Sequence, residues 1–77
     1  MTYHHTTDRT FNDIVSLGAY DKHTALHMYV HKHTLQALAN IARGKNYQGD
    51  KIHNPLAYMT ATRDNATKAF NKLWEEL

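Results

Sequence analysis

Apolar residues fall along this chain in three groups with helical spacing, separated by polar breaks. Phe11, Ile14, Val15 and Leu17 form the first group, spaced as one face of a short helix. Thr10 with Asp13 reads as a capping pair at its start, and Gly18 as a left-handed stop at its end. Asp21 is a good N-cap for a second helix, which meets no breaker before Arg43 and is ended by Gly44. At 1.5 Å per residue that helix would be about 33 Å long. The stretch GKNYQGDK follows as a polar loop. Asn54 then offers a cap and Pro55 a first-turn proline. Beyond them Leu56, Met59, Arg63, Ala66, Phe70, Leu73 and Leu77 recur at alternating spacings of three and four, an apolar stripe broken once by a cation.

No segment alternates apolar and polar residues over the length of a strand. The expected fold class is therefore all-α: a small helical domain of about three helices, with a short helix, a long central helix and an amphipathic C-terminal helix. The domain would occupy residues 10–77, and residues 1–9 would be an extended or disordered N-terminal segment anchored at Tyr3. Its expected core is Phe11, Ile14, Val15, Leu26, Val30, Leu38, Ile41, Leu56, Met59, Ala66, Phe70 and Leu73.

Size sharpens the demand on that core. Seventy-seven residues make one domain and bury only about 60% of the surface the unfolded chain exposes. Small scaffolds of this kind usually add a disulfide, a metal or a partner. The chain has no cysteine, which excludes disulfides and zinc–thiolate sites. No apolar run approaches the roughly 20 residues that span a bilayer, and MTYHHTTDRT has no signal-peptide pattern. The expected location is cytoplasmic, with no membrane partner. A homodimer would require an apolar face left over after folding.

The net charge of +2 conceals a pattern. Residues 22–72 carry eight Lys and Arg against two Asp, a net +6, between two ends of −2 each. A basic middle suits a polyanion, although solvated lysines on helix surfaces give the same composition.

The densest chemistry is HTALHMYVHKH, residues 23–33, which holds four of the seven histidines. His23, His27 and His31 are spaced by four. On a wheel centred on Leu26, Val30, Ala37, Leu38 and Ile41 they lie on or beside the apolar side. Histidines at i and i+4 have the spacing of helical zinc sites. Zinc wants about four ligands, however, and the glutamate of the strong motif is replaced by Thr24. The expectation is a packed or partner-facing histidine seam, with a pH switch as a sharper variant, no bound metal and no cofactor.

Catalysis is not expected. The one serine, Ser16, lies inside an apolar helix, and no glycine-framed nucleophile or phosphate-binding loop is present. The expected function is a non-catalytic protein-binding module, of the phage or plasmid accessory or inhibitor type, docking on a larger protein or nucleoprotein assembly. His23, His27, His31, Tyr29, Tyr47 and Tyr58 would face the partner, since tyrosine is enriched in interfaces. The first alternative is a small DNA- or RNA-binding regulator. It would use the 43–51 loop and the C-terminal helix, with Arg43, Lys45, Lys51, Lys68 and Lys72 on phosphates and Tyr47 stacked on a base. The second alternative is a histidine-based metal-binding helical protein.

Overall fold

The computed structural model describes residues 6–18 and 21–76. They form three helices, α1 (Arg9–Ser16), α2 (Lys22–Arg43) and α3 (Pro55–Glu75), a small all-α domain. The expectations for residues 1–5, Tyr20 and Leu77 lie outside the described residues.

Local chemistry sets the helix ends. Asp21 caps α2 by accepting from the His23 N–H, and Gly44 ends it at φ 75°, a left-handed conformation that glycine adopts without a Cβ penalty. Asn54 caps α3 by accepting from the Ala57 N–H, with Pro55 in the first turn. At α1 the structure corrects the expected start. Asp8, rather than Thr10, is the N-cap and accepts from the Phe11 N–H at 3.0 Å, so the helix begins at Arg9.

α2 and α3 run antiparallel. Tyr29 meets Phe70 near one end of the pair, and Asn40 meets Tyr58 near the other. α1 packs against α2 at the Tyr29 end. The result is elongated, 45 × 20 × 18 Å. Its core is an aromatic cluster in which Phe11 and Tyr29 each lie with their ring centroids 5.5 Å from that of Phe70, tilted to it, while Trp74 stacks on Phe70 at 5.7 Å. Ile14, Ala25 and Ala66 complete the buried cluster, and Val15, Leu26, Val30 and Leu73 pack against it.

Two of the expected core positions are wrong. Leu38 is 50% exposed and Leu56 is 77% exposed. The inward stripe of α2 is Ala25, Tyr29, Ala37 and Asn40, all buried. On α3 the inward line runs through Tyr58, Thr62, Ala66 and Phe70, spaced by four, so Leu56 and Arg63 turn outward. The stability consequence is direct. Phe70→Ala is expected to cost about 3–5 kcal/mol, enough to unfold so small a domain, whereas Leu38→Ala should cost about 0.5 kcal/mol or less. Urea denaturation of the two variants measures the difference, and comparable losses would mean that Leu38 is packed.

Candidate functional site

Turning Tyr29 inward fixes what the rest of α2 shows to solvent. Met28, His31, Leu35, Leu38 and Ala42 follow one another at spacings of three and four, and all five are exposed. Leu35 and Leu38 leave about half their surface uncovered, at 51% and 50%. His23 and His27 are exposed too. The three histidines therefore lie on the outer face of α2, which corrects their expected place beside the core. Leucines dominate a helical wheel of α2, whereas its buried stripe is two alanines, a tyrosine and an asparagine, with Tyr29 and Asn40 contacting α3.

Within that outer face His23 and His27 form a pair. Their Nε2 atoms are 3.1 Å apart and their rings are perpendicular, with centroids at 4.5 Å. The Asp21 carboxylate beside them is engaged in capping, accepting from the His23 N–H at 3.1 Å and from the Thr24 hydroxyl at 3.2 Å.

The tyrosines go elsewhere. Tyr29, 1% exposed, is a core residue and offers a partner almost no surface. Its hydroxyl donates to Asp8, whose other oxygen caps α1. Burial raises the Tyr29 pKa well above the ordinary tyrosine value, helped by the hydrogen bond to Asp8 and by the negative charge there. Tyr29, Tyr47 and Tyr58 do line one open groove between α2 and α3, about 340 Å³ in volume, together with His33, Asn40 and Asn65. Asn40, fully buried, organises it. Its amide donates to the Tyr58 hydroxyl at 2.8 Å, and its carbonyl oxygen accepts from Gln36 at 3.3 Å and from Arg43. The His33 ring lies against Tyr29 at 4.5 Å, and its buried Nε2 has no hydrogen-bond partner among the described residues. Nothing in the sequence marks Asn40, since a lone asparagine in a helix carries no signal of burial.

The loop after α2 is a tight antiparallel turn. Lys45 bridges Lys51, and the Ile52 N–H donates to the Gly44 carbonyl at 3.0 Å. The Asn46 side chain accepts from the Gln48 and Asp50 N–H groups at 2.9 and 3.0 Å, and Gly49 takes φ 90°. Tyr47 lies in this turn, 83% exposed. Of the expected nucleic-acid contacts, Lys45, Lys51 and Tyr47 share this turn, while Arg43 is held by Asn40. Lys68 and Lys72 are exposed on the far half of α3, at least about 20 Å along the helix from its start, and do not join the loop.

No group of three or more His, Asp or Glu gathers among the described residues, and no helix there is long and apolar enough to cross a membrane. Compared with protein-family models, with curated proteins and with solved structures, the chain matches none.

The buried Tyr29 hydroxyl yields a pH dependence. A free tyrosine ionises near pH 10, and the folded state resists ionisation beyond that. The stability tied to neutral Tyr29 is therefore fully present below about pH 10 and is lost as pH rises toward the raised folded value. Urea midpoints measured from pH 8 to 11.5 should fall above pH 10, and fall less in Tyr29→Phe. That variant should also lose about 1 kcal/mol at pH 7, because Asp8 loses a donor. Parallel curves for the two proteins would show that Tyr29 is not the group being titrated.

Proposed function

We propose that the protein is a non-catalytic docking module whose outer α2 face receives an acidic amphipathic helix from a larger protein or nucleoprotein assembly. The observation that carries this reading is the exposed row of Met28, Leu35 and Leu38 on a helix with cations and no anions. Lys22–Arg43 contains Lys22, Lys32, Arg43 and four histidines, and no Asp or Glu. With His31 and Ala42 between and beyond them, the row has the three-and-four spacing that a partner helix needs for side chains to interlock. A second copy of α2 would bring like charges together, whereas a partner helix with glutamates beside its leucines would be attracted at long range and pack at short range. His27 and His31, next to the apolar row, offer donors to the same carboxylates.

A labelled helical peptide with leucines at the heptad core positions and glutamates beside them tests this by fluorescence anisotropy. Saturable binding is expected. It should weaken with added salt, and it should fall at least about tenfold in Leu35→Glu/Leu38→Glu, since a charge cannot be buried unpaired in such a contact. The same peptide with lysines in place of glutamates should not bind. Equal binding by the two peptides, or by the variant, would remove the docking face. A wild-type dimer in analytical ultracentrifugation that dissociates in Leu38→Glu would put a second copy there instead.

A second reading has its own observation. Lys45 faces Lys51 across an antiparallel bridge, an arrangement that is destabilising by itself and that an anion would relieve, with the exposed Tyr47 ring in the same turn. In this reading the turn grips a single strand of nucleic acid, with phosphate between the lysines and a base on Tyr47. Binding to an oligothymidine should be detectable at about 50 mM salt, where phosphate contacts are strongest. Lys45→Glu/Lys51→Glu should then weaken it and flatten the slope of log K against log salt by about 1.4. No binding at that salt concentration would eliminate the reading.

A further inference from the structure

The geometry points to His23 and His27 as a chelating site for a borderline divalent transition-metal ion of the zinc, nickel or copper class. The two residues are one helical turn apart on α2, and they face each other through the same ring atom, Nε2, at 3.1 Å. A metal bound to imidazole lies about 2.05 Å from each nitrogen. Two nitrogens 3.1 Å apart then subtend about 98° at the metal, between the roughly 90° of a square or octahedral shell and the roughly 109° of a tetrahedral one. The bite is already formed. Both rings are exposed, so each can turn about its own side-chain torsions to aim its Nε2 at a shared ion while staying on the surface of α2.

The solvent position of the pair supplies what a buried seam could not. Both histidines are exposed, so water can fill the remaining coordination positions, and no further protein ligand is required. Among the described residues no third ligand gathers, which makes the site bidentate and open. Imidazole without carboxylate or thiolate favours copper, nickel and zinc over magnesium or calcium. In the metal-free protein one Nε2 must carry the proton that the other accepts. On binding, that histidine shifts to its Nδ1–H tautomer by exchange with solvent, so both rings stay neutral, both Nε2 lone pairs are free for the ion, and two nitrogen–metal bonds replace one hydrogen bond. The site does not depend on the docking face having a partner. His31 lies one turn further along and takes no part in the facing pair.

The test uses the full chain, freed of metal by a chelator and titrated with zinc in a calorimeter at pH 7.5, with nickel in parallel. One ion per chain is expected. Because the second ligand acts at high effective concentration, His23→Ala and His27→Ala should each weaken zinc binding at least about tenfold, while His31→Ala stays within about twofold of wild type. Substoichiometric copper should broaden the ring proton signals of His23 and His27 before those of His33 and His53. Circular dichroism of each variant, expected to match wild type at these exposed positions, separates a lost ligand from a lost helix. An absence of saturable binding, or an equal loss in all three variants, would overturn the site. A loss confined to His27→Ala and His31→Ala would overturn the assignment by moving the chelate one turn along.

Discussion

The carboxylate of Asp8 has two oxygens, and the fold uses them on two different helices. One accepts the Phe11 N–H and starts α1, and the other accepts the hydroxyl of Tyr29 on α2. A tyrosine this deeply buried must place its hydroxyl against a polar partner, because an unmade hydrogen bond in the interior costs more than a made one contributes. Once Asp8 provides that partner, α1 is held across α2 at a fixed place. Phe11 is then carried against Tyr29 and Phe70, and the three aromatic rings become the centre of the molecule.

The orientation of α2 about its own axis follows from the same contact. With Tyr29 inward, Ala25, Ala37 and Asn40 are inward by helical geometry, and Met28, Leu35 and Leu38 are outward. A chain this short has few large apolar side chains to spare, and two leucines on one turn of its longest helix remain half-exposed. Nothing within the described structure covers them. The charge of the helix itself, net positive and without a carboxylate between its first and last residue, then sets the kind of surface that would.

Element boundaries were legible because caps are local. Asp21, Gly44, Asn54 and Pro55 act through the backbone of their own turn, and the structure uses them as their chemistry dictates. Gly18, with φ 84°, follows the end of α1 in the same way. Thr10 misled because Asp8, two residues earlier, also has a reason beyond its own turn to be where it is. The facing of α2 was not legible, since leucines dominate any wheel while the buried stripe consists of two alanines, a tyrosine and an asparagine. For α3 the stripe was in phase from Ala66 to Leu73 and out of phase at Leu56, where the partner surface is the polar groove rather than the aromatic core. The histidine cluster was visible as a cluster. Its exposure, and the facing Nε2 atoms of one pair, depended on that facing of α2.

Asn40 bears on a different problem, that of sliding. Two antiparallel helices joined by a loop and packed partly through alanines offer few obstacles to a shift of one turn along each other. Such a shift would move the Tyr58 hydroxyl about 5.4 Å from the Asn40 amide and strand a buried polar group at the closed end of the hairpin. The aromatic cluster sits near the opposite end, so the two contacts act as pins set well apart on one hinge plate. Asn40 thereby adds a polar mark of alignment at the end of the pair that the aromatic cluster does not reach.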